Sequence, residues 1–334
     1  MPLLQLAPSL GDYAKHAEAF FNAGDKPFFL SVNYPDAHRP FIKQARGLPT
    51  KPLTGNDVKP LNYFGLDTPE LRSETANYYN CMSRLDSLIG DLLDSLSRSG
   101  KADNTLLIYM GDHGADMLRG KRTSYEGGVR VPLIIRWPEN AKAKQVRHEL
   151  VSTLALMPTV LAVASAEAAT GLPGMSLVPL LRDEKPRWRE YLFTEFHLHS
   201  AHNFYPQRTV RHARYKLIQN LMSGEINPGY EFTLKRFFAD LPKTIEAAPA
   251  HIRDAYHRMM SPPEFELYDL QADPHEFRNL ANDADHAATL EELKTTLANW
   301  RDRTNDPLVH TENLKRLKSE IDTCIVDGKA KKGA

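Results

Sequence analysis

Residues 108–122 read IYMGDHGADMLRGKR, an apolar run that stops at an acid beside a histidine. The apolar run is typical of a buried strand, and Asp112 and His113 follow it between two glycines. Ligand sites in parallel α/β sheets lie beyond the carboxyl ends of the strands. A carboxylate and an imidazole on one such loop are able to bind the same divalent cation. Asp112 and His113 are therefore candidate metal ligands, and a solvated turn is the alternative interpretation.

A second strand, predicted for residues 27–33, also ends in a polar loop. This loop reads PDAHRP and carries His38 between Asp36 and Arg39. Because the strand end is a second expected ligand position, His38 is a candidate site residue. Asp36 and Arg39 are expected either to orient His38 or simply to pair within the loop.

Lys121 lies nine residues after Asp112, directly behind a glycine. A lysine at this position is able to neutralise an oxyanion bound beside a metal. The alternative interpretation is a surface lysine in a basic loop. Glu126, a few residues further on in YEGG, is a candidate to brace the Lys121 loop.

The order of the predicted elements favours an α/β fold. A short helix closing at Gly24 and the strand at 27–33 precede a long loop and a helix from Thr68 to Ser99. Two further apolar strands and a helix follow, which predicts a mainly parallel sheet flanked by helices. Short strands with alternating character then indicate a smaller antiparallel sheet and a helix from about Asp285 to Arg303. We predict an α/β domain over 1–185, a smaller C-terminal α+β domain over 186–304 and a polar tail over 305–334.

Composition narrows the possible partners. The 334 residues carry a formal net charge of zero, so there is no broad electrostatic case for binding nucleic acid or an anionic membrane. No apolar stretch approaches the roughly 18 residues of a transmembrane helix, and the first residues lack the pattern of a signal peptide. The two cysteines form neither a disulfide framework nor a zinc motif, so they leave the compartment undetermined.

Four segments, in this order, resemble the sulfatases of the alkaline-phosphatase superfamily. They read FFLSVNYPDAHRPF, YYNCMSRLDSLIGDLLDSL, GDHGADMLRGKRTSYEGGVRVPLIIRWP and FELYDLQADPHEFRNLA. A fifth, YPQRTVRHARYKLIQN, is similar to the heparan N-sulfatase (sulfamidase) branch. The resemblance spans roughly residues 25–303 and implies an alkaline-phosphatase-like fold.

The resemblance implies a role for each candidate residue. Asp112 and His113 correspond to ligands of a divalent metal, most often Ca²⁺, with Mg²⁺ and Mn²⁺ as alternatives. Lys121 and His38 correspond to residues that contact the sulfate. The implied reaction is hydrolysis of a sulfate ester or N-sulfate on a sulfated sugar, and the family implies a periplasmic or extracellular location.

The chain also departs from the family pattern. The family nucleophile is a formylglycine made from Cys or Ser in C-x-P-S-R, and that motif and an acidic metal pair lie upstream of the strand matching 27–33. The motif is absent here, since CMSR at Cys81–Arg84 lacks the proline and one residue and falls within a helix. We expect an incomplete sulfatase that lacks the nucleophile and some sheet strands, is inactive as given, and aggregates or forms homo-oligomers through its exposed sheet edge.

Further candidates for substrate binding lie in the second domain. His199 and His202 follow a strand and are expected to line the substrate mouth or a solvated loop. Arg208 and Arg211 are expected to bind an acidic sugar or to be exposed strand charges. Two other functions remain open: a phosphonate or phosphodiester hydrolase of the same superfamily, and a non-catalytic anion-binding protein.

Overall fold

The computed structural model describes residues 3–6, 12–167 and 170–330. The strands are β1 (Leu3–Leu6), β2 (Phe29–Val32), β3 (Leu107–Met110), β4 (Leu133–Arg136), β5 (Leu192–Phe196), β6 (Gln207–Arg211), β7 (Tyr215–Asn220) and β8 (Phe265–Asp269). The helices are α1 (Tyr13–Phe21), α2 (Pro69–Arg98), α3 (Glu126–Val129), α4 (Leu156–Val163), α5 (Val178–Leu181), α6 (Pro228–Leu234), α7 (Leu241–Glu246), α8 (Ala250–Met260), α9 (Ala287–Arg303) and α10 (Thr311–Ala330). No helix within these ranges is long and apolar enough to cross a membrane.

The strands of the first half form two separate pairs rather than one mainly parallel sheet. β1, a strand that the sequence did not predict, pairs parallel with β2, but β3 and β4 pair antiparallel, with Leu107 opposite Arg136. A parallel pair needs a crossover connection, usually through a helix. Between β3 and β4 the only helix is the single turn α3, so the chain turns back and β4 runs in the opposite direction.

The second half contains the predicted antiparallel sheet, with strand order β5–β6–β7–β8. Both faces of β6, β7 and β8 are largely buried, and Val210, Leu217 and Leu267 are fully buried on one of them. Leu293 and Leu297 of α9 cover this apolar face. The predicted helix therefore packs against the predicted antiparallel sheet.

The long helix α2 begins and ends where the sequence predicts. The Thr68 hydroxyl accepts a hydrogen bond from the Leu71 amide at 3.2 Å, Pro69 follows, and Gly100 adopts a φ of +72° just beyond the last turn. A left-handed glycine after the C-cap is the common way to end a helix. α2 buries one apolar stripe, against which α1 packs.

The tail is helical rather than simply polar. α10 runs as far as Ala330, and residues 331–334 lie outside the described residues. Leu314, Leu317 and Ile321 of α10 pack against a buried cluster that includes Tyr205 and Met222. The spacing of these apolar residues is that of one helical face, which holds α10 against the second half of the chain.

Candidate functional site

The loop between β3 and β4 is folded tightly on itself. The Gly114 amide donates to the Gly128 carbonyl at 2.8 Å, and the Lys121 amide donates to the Ala115 carbonyl at 2.8 Å. A Cβ on Gly114 would lie 1.8 Å from the Gly127 carbonyl oxygen. Since no side chain fits there, the glycines allow the two limbs of the loop to touch and fix the position of Lys121.

A buried arginine fastens this loop to the second half of the chain. Arg119 is 1% exposed and has a φ of +55°, a strained conformation for a residue with a side chain. Its guanidinium donates to the carbonyls of His275 (3.0 Å) and Glu276 (2.9 Å) and stacks on Tyr125, with 4.4 Å between the guanidinium carbon and the ring centroid. These contacts hold Arg119 in its left-handed conformation.

Glu126 braces the other end of the loop. Its amide donates to the Glu276 carboxylate at 2.5 Å, while its own carboxylate pairs with Lys216 (3.2 Å) and Arg211 (3.4 Å). Burial alone would raise the pKa of Glu126, but the charges of Lys216 and Arg211 outweigh it and lower that pKa. A charged Glu126 therefore ties α3 to β6 and β7.

Asp112 and His113 present two neighbouring donor atoms at the end of β3. His113 Nδ1 donates to the Gly114 carbonyl at 2.8 Å, which leaves Nε2 with a free lone pair in the neutral ring, 3.3 Å from Asp112 Oδ2. A backbone partner on the second nitrogen is the usual arrangement for a metal-binding histidine. The pair fits two adjacent ligands of one cation. However, the residues in the described ranges contain no cluster of three or more His, Cys, Asp or Glu that could hold a metal, so they do not make a complete site.

Lys121 is buried among other cations. The side chain is 5% exposed in an arginine-rich setting, and within the described ranges its ammonium group has no hydrogen-bond or ion-pair partner. Burial lowers the pKa of Lys121, the charges of Arg122 and Arg236 lower it further, and Asp116 and Asp112 oppose the shift. A partly desolvated cation without a directly paired carboxylate suits the binding of an oxyanion.

Asp116 holds the arginines of this group together. Its carboxylate pairs with Arg122 and, at 3.1 Å, with Arg236, and its backbone carbonyl accepts from Arg39 Nε at 2.8 Å. Arg122, like Arg119, has a positive φ, +74°. One buried carboxylate thus sits among several cations, and the group has a net positive charge.

His38 is exposed in the loop that Arg39 fastens to the Lys121 loop. Its Nδ1 donates to the Arg39 carbonyl at 2.7 Å. Asp36 does not orient His38, because its buried carboxylate pairs with Arg84 of α2 at 2.6 Å. Asp36 therefore neither orients His38 nor pairs within its own loop, so both expectations for Asp36 are wrong, and the placement of His38 opposite Lys121 stays a prediction.

The cysteine of CMSR belongs to the helix interior. Cys81 is fully buried, and its thiol lies 3.6 Å from the Ile42 carbonyl. Arg84 of the same motif is engaged by Asp36. Both contacts are structural, in agreement with the expectation that this motif does not replace C-x-P-S-R.

The two predicted histidines of the second half lie beside the Lys121 loop. Desolvation and then the charges of Lys121 and Arg122 lower the pKa of His199. The ring centroids of His202 and Phe232 lie 4.8 Å apart. The guanidinium groups of Arg122 and Arg236 also stack on the Phe232 ring, each 5.1 Å from its centroid. The candidate site is therefore built from both halves of the chain.

The two predicted arginines lie elsewhere. Arg208 is fully buried and donates to both carboxylate oxygens of Asp306, at 2.8 and 2.9 Å, so it is neither exposed nor free to bind a sugar. The Arg211 guanidinium is directed to the Glu126 carboxylate, at 3.4 Å. Sequence reasoning missed Arg122, Asp116 and Arg236. Arg122 and Asp116 could have been found, because they lie in the same loop as Lys121. Arg236 could not, because it lies 120 residues along the chain from its partner Asp116.

Two family models match the chain. The model described as Sulfatase matches residues 9–166, and that described as N-sulphoglucosamine sulphohydrolase, C-terminal, matches residues 111–232. Human N-sulphoglucosamine sulphohydrolase is 32% identical over 319 residues, covering 85% of this chain and 62% of the relative. The chain thus spans somewhat less than two thirds of the length of that relative.

Solved structures agree on the fold. A 2-O GAG sulfatase has a TM-score of 0.57 at 23% identity, covering 87% of this chain and 58% of that one. The phosphonate monoester hydrolase of Agrobacterium radiobacter also has a TM-score of 0.57, at 21% identity, covering 87% and 60%. These similarities define an α/β protein of the alkaline-phosphatase-like class. The family models and the 32% identity to human N-sulphoglucosamine sulphohydrolase show that the chain belongs to the sulfatase family.

Proposed function

We propose that this chain is the sulfate-binding part of a sulfatase that acts on a sulfated sugar, as an O-sulfate or an N-sulfate. The observation that carries the proposal is Lys121, a largely buried side chain beside the exposed end of β3 whose ammonium group has no hydrogen-bond or ion-pair partner among the described residues. A sulfate group placed there would supply the anion that Lys121 lacks. Its negative charge would also meet Arg122 and Arg236, which lie within electrostatic reach.

The proposed roles follow the geometry of the two strand-end loops. Lys121 binds a sulfate oxygen, and His38 contributes a second contact from the loop fastened by Arg39. His199 and His202 line the side from which the sugar enters. Asp112 and His113 supply two ligands of a divalent cation, which we propose to be Ca²⁺ in this family, with Mg²⁺ and Mn²⁺ as alternatives. Further ligands are needed, because Ca²⁺ takes about six to eight oxygens.

The N-sulfate alternative has support from the similarity to human N-sulphoglucosamine sulphohydrolase and from the C-terminal family model. The test titrates the chain, by calorimetry, with glucosamine N-sulfate, with glucosamine and with phenylphosphonate. We expect the sulfated sugar to bind and glucosamine not to bind. We expect Lys121→Gln to weaken binding about tenfold or more, since a hydrogen bond to a charged group contributes about 1.5–3 kcal/mol.

Lys185→Gln is the matched control, because Lys185 is exposed and has no ion-pair partner among the described residues. It should bind like the wild type. Equal loss in both variants would contradict the role of Lys121, and preference for phenylphosphonate would favour the phosphonate hydrolase instead. With 4-nitrophenyl sulfate we expect binding without detectable turnover by this polypeptide, because loss of a covalent nucleophile costs roughly a million-fold in rate. Metal-dependent turnover abolished by Lys121→Gln would show that another group acts as nucleophile.

A further inference from the structure

A second cationic cavity lies apart from the Lys121 site. It has a volume of about 300 Å³ and opens between the end of α3, the turn from β6 to β7 and the segment after β8. Three of its lining residues are arginines, Arg130, Arg211 and Arg214. Lys121, His38, Asp112 and His113 are not among its lining residues. The cavity is therefore a separate candidate site, and it does not depend on the proposed function.

The carboxylates at this cavity already have partners. Glu126 pairs with the buried Lys216 at 3.2 Å as well as with Arg211 at 3.4 Å. Asp269 pairs with Arg214 at 2.6 Å and also accepts from the Gln271 amide at 3.0 Å. Only Glu126 of these two carboxylates lines the cavity, and its charge is shared with Lys216 outside it, so the two carboxylates do not neutralise all three arginines.

Arg130 is the cation that remains available. It follows α3 directly and is exposed, and its guanidinium has no hydrogen bond or ion pair within the described ranges, although its charge acts on Glu126 from further away. Arg211 and Arg214 are 21% and 51% exposed at their side chains, so each also presents part of its guanidinium to the cavity. A guanidinium carries five donors in a planar fork that matches a carboxylate or sulfate.

We propose that this cavity binds the carboxylate or sulfate group of a single acidic sugar. The oxyanion would accept hydrogen bonds from Arg130 and from the exposed edges of Arg211 and Arg214. Leu270 and Pro274 provide an apolar wall for the carbon skeleton of the ligand. The volume is at the lower end of the range of small-molecule pockets, about 300–1,000 Å³, which suits a monosaccharide.

The test follows the arginine Nε–Hε resonances of the ¹⁵N-labelled chain during titration with glucuronate and, separately, with inorganic sulfate. We expect the Arg211 and Arg214 resonances to shift and to saturate with at least one of these anions. The anion that saturates the shifts identifies the group that is bound. Arg130→Gln should weaken the affinity about tenfold, the effect of losing one charged contact. Arg130 is exposed and unpaired, so this variant should keep the thermal unfolding midpoint of the wild type.

Two other variants make the result decisive. Arg303→Gln removes an exposed arginine at the end of α9 that does not line the cavity, and should bind like the wild type. Lys121→Gln should leave these shifts unchanged, which separates this site from the proposed sulfatase site. The proposal is overturned if neither anion produces saturable shifts, if Arg303→Gln weakens binding as much as Arg130→Gln, or if Lys121→Gln abolishes the shifts.

Discussion

At the scale of single residues, the surroundings of Arg208 decide its role. Arg208 is a residue of β6, and its buried guanidinium pairs with Asp306. The Asp306 carboxylate also accepts a hydrogen bond from Arg301 Nε at 2.7 Å. Burial alone would raise the pKa of Asp306, but the hydrogen bonds from Arg208 and Arg301 lower it to about 2. An arginine that looked like a sugar-binding residue in the sequence is instead part of a buried ionic cluster that joins β6 to α9 and the turn after it.

Asp306→Ala should destabilise the protein by about 3 kcal/mol or more, because it leaves two guanidinium groups buried without their carboxylate. Urea unfolding would measure this loss. Since the folded-state pKa of Asp306 is lowered, its contribution is complete above the ordinary pKa of 3.8 and disappears as the pH falls towards about 2. The difference in the free energy of unfolding between wild type and variant should therefore shrink between about pH 4 and pH 2.

Asp302→Ala, at an exposed position of α9, is the control and should change the free energy of unfolding by less than about 0.5 kcal/mol. An equal effect of both substitutions would contradict the role of Asp306.

The candidate site residues that lie at strand ends could be proposed from the sequence, and their roles stay predictions. Asp112, His113 and Lys121 belong to one loop, so a local pattern was enough to find them. Arg236 entered the site only through its pairing with Asp116 from a distant part of the chain. Arg208 was misassigned because an alternating strand pattern does not show which polar side chains have buried partners.

At the scale of elements, the loop from Gly111 to Val129 depends on glycines at points of contact. Gly114→Ala should cost about 3 kcal/mol or more, because its Cβ would lie 1.8 Å from a backbone oxygen that cannot move without displacing the loop. Gly90→Ala is the matched control: Gly90 lies within α2 with no atom near its Cβ position. This control should stabilise the protein by about 1 kcal/mol through helix propensity. Urea unfolding in which Gly114→Ala is as stable as the wild type would contradict the described packing.

The limits of α2 could be predicted because its caps are local: a threonine and a proline at the start and a glycine at the end. The direction of β4 could not be predicted in the same way. Apolar runs identify strands, but they do not show which strand is the neighbour or in which direction it runs. The apolar face of α10 was overlooked because three apolar residues are spread among many charged ones.

At the scale of the whole molecule, contacts between the two halves build the site. Glu126 and Arg119 fasten the Lys121 loop to β6, β7 and the segment after β8. The boundary predicted at residue 185 stays a prediction, as does self-association through exposed apolar positions such as Ile134 of β4, which is 60% exposed. Sedimentation of a stable monomer would count against self-association. The family could be predicted from the sequence because its motifs follow the strand-end loops in order.

The most direct test of the central claim is a crystal structure of this chain with bound glucosamine N-sulfate. The account predicts the sulfate group within about 3 Å of Lys121 Nζ and of one ring nitrogen of His38, the distance of a charge-assisted hydrogen bond. The sugar should extend towards His199 and His202. A sulfate bound away from Lys121, or His38 and Lys121 on opposite faces of the molecule, would contradict the account.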